Sequence, residues 1–228
     1  MKKVFAFVFA RGGSKGLPRK NVLPFGGKPL IAHSIDVAKQ VKGVERIFVS
    51  TDDDEIKRIA KEFGAEVIDR PEELASDKAP ELEAWRHAIT YLKEKGEHFD
   101  IFLSLPATSP LRHQSDISAC MEALDNETDV VITVTPAARS PYFNMVSRDL
   151  EGYSSILIPS NTYARRQDAP QVYDMTTVAY VIRPDFFIEY DALFEGRVKS
   201  VVIPKERAID IDDMYDFKFA EVILQGLK

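Results

Sequence analysis

A short glycine-rich loop near the start of the chain carries four cationic side chains that could bind phosphate groups. Residues 10–21 read ARGGSKGLPRKN, and the cations are Arg11, Lys15, Arg19 and Lys20. Glycines let backbone N–H groups approach an anion closely, while Arg and Lys neutralise its charge. So many cations in one loop fit a triphosphate or a pyrophosphate better than a monophosphate. The alternative is a solvated basic turn, which the position directly after a predicted strand disfavours.

The glycine spacing excludes two common phosphate-binding loops. The pattern G-x-x-x-x-G-K-[ST] is absent, because Pro29 follows the lysine of FGGKPL. The dinucleotide pattern G-x-G-x-x-G is absent as well. Neither a P-loop ATPase nor a dinucleotide oxidoreductase is therefore indicated.

Two aspartates near the carboxyl end of the chain form a candidate metal site. The segment IDIDD at 209–213 places Asp210 and Asp212 on one face if it is extended. Two carboxylates at this spacing can hold a Mg²⁺ ion that also binds phosphate oxygens. The alternative is an exposed acidic turn with Asp213 capping the last helix. A rival acidic cluster at 52–54 is better explained as helix N-terminal charge.

Apolar periodicity predicts an α/β fold that brings these motifs to one edge of a sheet. Strands alternate with helices over the first part of the chain, which is typical of a doubly wound, mostly parallel, Rossmann-like sheet. Ligands of such sheets bind beyond the carboxyl ends of the strands, where the basic loop follows strand one. The predicted strands are 3–10, 46–53, 65–71 and 129–136, with a further strand and the turn after it at 100–112. The predicted helices are 29–40, 53–64, 82–95 and 115–124.

The sequence after Pro136 changes character and predicts a small lobe. Residues 1–135 are predicted to form the nucleotide-binding core, 136–180 a β-rich lobe, and 181–228 a return to the core with a closing helix. The lobe has little periodicity, yet it is rich in apolar side chains. Such a surface usually marks an interface, so an isologous homodimer is expected.

The bulk composition limits the class of protein. The chain has 228 residues, of which 45% are hydrophobic and 29% charged, with a net charge of −6. The single cysteine, Cys120, excludes an internal disulfide and agrees with a reducing compartment. The apolar start of the chain is short and ends at Arg11, which predicts a buried strand in a cytoplasmic protein without a membrane span. The acidic balance gives no support to nucleic-acid binding.

Four motifs together resemble one enzyme family. ARGGSKGLPRKN closely resembles the nucleotide-binding signature of the CMP-sialic acid synthetases (acylneuraminate cytidylyltransferases). RPEELASD at 70–77, TSPLR at 108–112 and IDIDD at 209–213 resemble its later motifs in the same order. The resemblance spans nearly the whole chain. It implies that CTP and an acidic 3-deoxy-2-keto sugar give a CMP-sugar and pyrophosphate, with Mg²⁺ or Mn²⁺, in a homodimer with shared active sites.

The resemblance also implies roles for individual residues. Those assigned to the triphosphate are Arg11, Gly12, Gly13, Ser14, Lys15 and Lys20. The catalytic residues that the resemblance implies are Arg11, Lys15, Lys20 and Asp212. The residues that contact the cytidine are Ala10, Asn21 and Arg70, and those that bind the metal are Asp210 and Asp212. Arg166 is expected to reach the sugar carboxylate across a dimer interface, and Tyr173 to bind substrate. The alternatives are a surface position for Arg70 and a basic surface loop for Arg165 and Arg166.

The half of the chain expected to bind sugar departs from the family pattern. Pro106 occupies the place of a glutamine that contacts the sugar, and Asp174 stands where an arginine is common. Phe143 or Asn144 replaces a lobe lysine. We therefore expect a related nonulosonic acid, such as legionaminic acid, as an acceptor besides sialic acid itself.

Three other functions compete with this one. A CMP-Kdo synthetase-like enzyme is related, although its first loop usually differs. A GT-A-like glycosyltransferase also uses a D-x-D metal site on a nucleotide-binding sheet. A non-catalytic nucleotide-binding protein is the third alternative.

Overall fold

The computed structural model of the chain describes residues 2–13, 16–76, 78–159 and 165–226. The strands within these ranges are β1 (Val4–Phe9), β2 (Pro24–Phe25), β3 (Lys28–Pro29), β4 (Val44–Thr51), β5 (Glu66–Asp69), β6 (Ile101–Ser104), β7 (Val130–Pro136), β8 (Val146–Arg148), β9 (Ser154–Ile156), β10 (Tyr173–Ile182) and β11 (Val198–Val202). The α-helices are α1 (Leu30–Gln40), α2 (Asp54–Glu62), α3 (Glu81–Glu94), α4 (Gln114–Ala123), α5 (Phe186–Glu189) and α6 (Met214–Gly226). Among these helices, none combines the length and apolar character that a bilayer span requires.

Seven strands form one central sheet in the order β11-β7-β10-β6-β1-β4-β5. Neighbouring strands are parallel except that β10 runs antiparallel to both β6 and β7. The carboxyl ends of six strands therefore lie at one edge, together with the amino end of β10. The predicted doubly wound, mostly parallel α/β sheet is confirmed.

The alternation of side chains along β1 explains how the sheet is covered on both faces. Val4, Ala6 and Val8 enter one apolar core, which also contains buried residues of α1, α2 and α4. Phe5 and Phe7 enter a second core with buried residues of α3 and α5. Both cores fix the strands rigidly, so the loops that follow them start from defined positions.

A third apolar cluster ties three of the sequence motifs together. Leu17 comes from the basic loop, Leu111 from TSPLR, and Ile211 from IDIDD, and all three are buried in this cluster. α6 completes it with Phe217 and Ala220. Segments far apart in sequence are thus held side by side at the carboxyl edge of the sheet.

The chain leaves the sheet between β7 and β10. There β8 and β9 form a small antiparallel hairpin in which Val146 pairs with Ile156. β10 already belongs to the central sheet at its first residue, since Tyr173 pairs with Pro136. The predicted domain division at 136 and 180 stays a prediction. The large apolar side chains that this excursion exposes are Phe143, Met145, Val146, Leu150, Tyr153, Leu157 and Ile158.

Candidate active site

A cavity of about 280 Å³ opens at the carboxyl edge of the sheet. It lies beside the basic loop, the segment after β5, the start of α3 and the turn after β6. Its lining residues are Phe9, Arg11, Gly13, Lys20, Asn21, Arg70, Leu74, Ser76, Ala79, Pro80, Glu81, Ala84 and Thr108. A larger cavity of about 450 Å³ lies at the opposite edge, between the end of α3 and α5, away from these motifs.

Hydrogen bonds to its own backbone and to neighbouring segments hold the basic loop in place. The Asn21 side-chain amide donates to the carbonyl oxygen of Arg11 at 3.1 Å, which closes the loop on itself. The Arg11 guanidinium donates to the carbonyl of Ala75 at 3.4 Å across the cavity. The Gly12 N–H donates to Oδ1 of Asp52 at 3.0 Å. Arg11, Gly13 and Asn21 line the cavity, whereas Ser14 and Lys15 lie outside the described residues.

Arg19, one of the described cations of the loop, binds carboxylates that do not line the cavity. The Arg19 guanidinium binds the carboxylates of Asp53 and Glu55 at the start of α2. Asp53 is also the N-cap of that helix and accepts from the Ile56 N–H at 3.0 Å. The guanidinium lowers the pKa of Asp53, and the two carboxylates raise the pKa of Arg19. The acidic cluster after β4 thus serves the helix terminus, as the sequence favoured, and also orients the loop.

Lys20 connects the basic loop to the acidic motif. Its side chain is buried, and Nζ donates to the carbonyl of Ile211 and lies 3.1 Å from Oδ1 of Asp212. Gly16 approaches the same motif even more closely, because a Cβ built on it would lie 2.3 Å from the Asp212 carbonyl oxygen. Glycine is therefore required at position 16 for the two segments to meet as they do.

The two aspartates of the motif differ in exposure. The Asp212 side chain is 76% exposed, whereas Oδ1 of Asp210 is buried and accepts no hydrogen bond from any described residue. Ile209 and Ile211, which alternate with these aspartates, pack into the third apolar cluster. An unsatisfied buried carboxylate oxygen is costly unless a cation binds it. The donor set therefore fits a divalent cation that prefers oxygen ligands. Within the described residues, no three His, Cys, Asp or Glu side chains form a complete metal cage, so ligand oxygens would have to supplement the pair.

Arg70 forms the opposite wall of the cavity. Its Nη2 donates to the carbonyl of Ser50 at 2.6 Å, and its Nε donates to Oγ of the same residue at 3.2 Å. The guanidinium lies over the Phe9 ring, 5.5 Å from its centroid. Burial lowers the pKa of Arg70 to about 10. Arg70 is thus a buried cation aimed at the cavity, and the alternative of a surface residue is wrong.

Arg112 is a buried arginine behind the site whose role sequence reasoning missed. Its guanidinium donates to Ser34 Oγ at 2.7 Å, to the carbonyl of Pro106, and to the carbonyl of Thr177 at 3.3 Å. Burial lowers the pKa of Arg112 to about 9, although the negative charge of Asp210 acts to raise it. These contacts clamp the turn after β6 to α1 and β10. TSPLR marked this position, but nothing in the sequence indicated that the arginine faces inward.

The residues expected to contact sugar lie away from this cavity. Tyr173 is 43% exposed at the start of β10. Arg166 begins a short 3-10 helix, and its side chain is outside the described part of the structure. Ala10 is buried, and its N–H donates to the Ser50 carbonyl at 3.1 Å. Asp174 is exposed in β10, paired with Thr135. Within one chain, the structure brings together the loop, Arg70 and the acidic motif, but not the lobe residues.

Solved structures share this fold. The chain superposes with a TM-score of 0.72 on a CMP:2-keto-3-deoxy-manno-octonic acid synthetase complexed with CTP, at 18% identity and covering 99% of this chain and 100% of the other. It superposes with a TM-score of 0.73 on a 4-diphosphocytidyl-2C-methyl-D-erythritol synthase, at 14% identity, covering 98% and 99%. At these identities the likeness establishes the fold.

Curated relatives are similar over the full chain. A CMP-N,N'-diacetyllegionaminic acid synthase from Campylobacter jejuni is 34% identical, covering 98% of this chain and 96% of the relative. A post-translational flagellin modification protein B from Campylobacter coli is also 34% identical, covering 99% and 96%. An N-acylneuraminate cytidylyltransferase from Escherichia coli is 30% identical, covering 98% of this chain and 52% of the relative.

The sequence profile of one family matches residues 5–221, which is nearly the whole described chain, and its description is Cytidylyltransferase. The match includes the basic loop, Arg70, the turn after β6 and the acidic motif. The resemblance seen in the four motifs is thereby confirmed. The chain belongs to the cytidylyltransferase family.

Proposed function

We propose that this protein transfers CMP from CTP to the anomeric hydroxyl of a sialic-acid-like 3-deoxy-2-keto acid sugar and releases pyrophosphate. The observation that carries the proposal is the 3.1 Å contact between Lys20 of the basic loop, which lines the cavity, and Asp212 of the acidic motif. A triphosphate held by the loop would have its reacting phosphorus beside the carboxylates. Relatives at 29–34% identity are named for CMP transfer to legionaminic, pseudaminic or N-acylneuraminic acid.

In this reaction the protein positions the two substrates and stabilises the charge that develops. The sugar hydroxyl attacks the α-phosphorus in line, its oxygen forms the new P–O bond, and pyrophosphate leaves with the electron pair of the bond that breaks. Arg11 and Lys20, with Lys15 from the same loop, would hold the triphosphate and stabilise the charge of the leaving group. Asn21 fixes the loop backbone through the Arg11 carbonyl. No covalent enzyme intermediate is required, since both substrates are aligned in one site.

Asp210 and Asp212 would hold the divalent cation that this reaction needs, Mg²⁺ or Mn²⁺. When bound, such an ion neutralises phosphate charge and lowers the pKa of a nearby hydroxyl. The buried unsatisfied oxygen of Asp210 supports this assignment, because it is a negative group without a protein donor in the described chain. Lys20 beside Asp212 orients that carboxylate.

The acceptor is an acidic nonulosonic sugar, with a legionaminic-type acid preferred. The 34% identical legionaminic acid synthase supports this choice. Pro106 adds support, because a side chain without hydrogen-bonding groups stands where the sialic acid enzymes are expected to carry glutamine. The Pro106 carbonyl is engaged by Arg112 and Ser34, so this turn is built for rigidity.

A homodimer with shared sites is part of the proposal. The exposed apolar side chains of the excursion between β7 and β10 would be buried between subunits. Arg166 and Tyr173 lie on that excursion side rather than in the cavity of their own chain. A partner subunit could supply them to the sugar carboxylate. The single buried cysteine, Cys120, agrees with a cytoplasmic location.

The direct test is pyrophosphate release from CTP with a panel of acceptors. We expect release with nine-carbon keto-acid sugars and divalent metal, fastest with a legionaminic-type acid and slower with sialic acid and with the eight-carbon Kdo. Turnover of a sugar nucleotide without pyrophosphate release would indicate a glycosyltransferase. Absence of release with every acceptor, from protein that binds CTP, would overturn the proposal in favour of a non-catalytic binding protein.

Subunit mixing tests the shared site. Arg166→Ala subunits and Asp212→Asn subunits are each expected to be nearly inactive. In equal mixtures, random pairing makes half the dimers mixed with one intact site each, so activity should recover to about a quarter of wild type. No recovery despite demonstrated exchange would place Arg166 in the site of its own subunit or outside any site.

A further inference from the structure

The lining of the cavity combines cationic and apolar side chains. Arg11 and Lys20 come from the basic loop and suit phosphate. The apolar lining residues are Phe9, Leu74, Ala79, Pro80 and Ala84. An apolar slot with a few polar groups is the usual environment of a planar base. Besides the loop cations, the charged side chains that line the cavity among the described residues are Arg70 and Glu81.

Glu81 is the first residue of α3, directly after the N-cap Pro80. A carboxylate there has an ordinary explanation, since it complements the helix dipole. Its neighbour Glu83 shows what that ordinary role looks like: it pairs with Arg86 at 2.6 Å outside the cavity. Glu81 instead lines the cavity, and it makes no salt bridge with any described residue. It therefore offers its oxygen atoms to a ligand.

The surroundings of Glu81 oppose its charge. Partial desolvation raises the pKa of its carboxyl, and the negative charge of Asp210 adds to that rise. The Arg70 guanidinium and the Trp85 indole N–H offset it only in part, and the indole makes no close hydrogen bond among the described residues. The residue is exposed where it lines the cavity, so a ligand that carries a hydrogen-bond donor can reach its carboxylate oxygens.

Cytosine and uracil differ in the groups that these two side chains would meet. Cytosine presents an amino group at C4, which donates, and acceptors at N3 and O2. Uracil presents a carbonyl at C4 and an N–H at N3, so donor and acceptor are exchanged. An arginine can only donate, and a carboxylate can only accept. Arg70 still has its Nη1 group without a protein acceptor in the described chain, since Nε and Nη2 are used by Ser50.

We propose that Glu81 selects cytosine over uracil by accepting a hydrogen bond from the amino group at C4, while Arg70 donates to the N3 and O2 edge. With UTP the carboxylate would face a carbonyl oxygen at C4 and the guanidinium would meet an N–H group at N3, so only the contact with O2 would be kept. This specificity rests on the proposed use of CTP. Glu81 acts in base recognition and takes no part in the transfer of the phosphoryl group.

The test compares CTP and UTP in three variants. Glu81→Gln can either accept or donate, so it should raise the kcat/KM for UTP and narrow the CTP/UTP ratio at least about fivefold, the lower end for one well-placed base contact. Glu81→Ala should weaken the binding of CTP and relieve the repulsion that UTP meets, so the CTP/UTP ratio should narrow in this variant as well. Glu83→Gln, in the same helical turn, is the control and should leave the ratio unchanged. Thermal unfolding identifies any variant that fails to fold.

Calorimetry measures the affinities for CTP and UTP directly, and so gives the CTP/UTP ratio without any sugar present. An unchanged ratio in Glu81→Gln, with a folded protein, would overturn the role of Glu81 while leaving the cytidylyltransferase function intact. Wild-type protein that binds neither nucleotide, or both equally, would instead count against the proposed function itself. A stability loss in Glu81→Ala with an unchanged ratio would reduce Glu81 to a helix-terminus residue.

Discussion

Gly16→Ala tests whether the contact between the basic loop and the acidic motif is needed for turnover. The added Cβ would lie 2.3 Å from the Asp212 carbonyl oxygen, a backbone atom that cannot rotate away. Ordinary contact begins at about 3.4 Å. The two segments must therefore separate by about 1 Å, which would carry Lys20 and the phosphate-binding amides away from Asp212.

The magnitude follows from how steeply transfer reactions depend on alignment. A displacement of about 1 Å between reacting groups can cost about 10²-fold in rate. Gly16 is exposed, and Leu17 beside it stays anchored in the third apolar cluster. We therefore expect the fold to survive, with kcat/KM for CTP reduced about 10²-fold and a loss of about 1–3 kcal/mol in the free energy of unfolding from local overpacking.

The assay is pyrophosphate release, with thermal unfolding as the measure of folding. Gly226→Ala is the matched control, because a Cβ there meets no atom within 4 Å. It should retain wild-type turnover. If Gly16→Ala kept kcat/KM within twofold of wild type, the close approach would not matter for catalysis, and the inferred link between the loop and the acidic motif would be refuted.

Two further predictions concern charges around the site. Asp212→Asn should leave unfolding and CTP binding nearly unchanged, because its side chain is largely exposed, yet lower turnover by about 10²-fold or more. In wild type, EDTA should abolish turnover and Mg²⁺ or Mn²⁺ restore it, and full activity of the variant would remove Asp212 from the site. Arg19→Gln should lower stability at neutral pH by about 0.5 kcal/mol, since the ion pair is partly exposed. Because Arg19 lowers the pKa of Asp53, its stabilisation is present above the ordinary carboxyl pKa and is lost as pH falls through the lowered value. The variant should therefore lose less stability than wild type on acidification, and parallel pH profiles would contradict this.

The regular elements around the site could be predicted closely because their apolar patterns are strong. The helix predicted at 53–64 is found at Asp54–Glu62, with Ile56, Ile59 and Ala60 buried as the spacing requires. The strand predicted at 129–136 is found at Val130–Pro136. Local periodicity decides such elements, because one buried face selects one pattern.

The orientation of individual charged side chains could not be predicted in the same way. Arg19 and Lys20 are adjacent in sequence and equal in charge, yet one binds Asp53 and the other lies against Asp212. These partners are 34 and 192 residues away, so only the folded topology decides between them. Glu81 was overlooked for a related reason, since a carboxylate at a helix start is ordinary and its cavity becomes visible only when the segment after β5 is placed.

The apolar residues within the motifs explain why the polar ones converge. Leu17, Leu111 and Ile211 each stand one to four residues from a group that lines or borders the cavity, and all three are buried in the third apolar cluster. Burying these side chains stabilises the junction by about 1.5–3 kcal/mol each, whereas the partly exposed pair of Lys20 and Asp212 contributes far less. Hydrophobic packing therefore sets the distance between the loop and the acidic motif. The charged groups are then free to serve a ligand, because they are not what holds the site together.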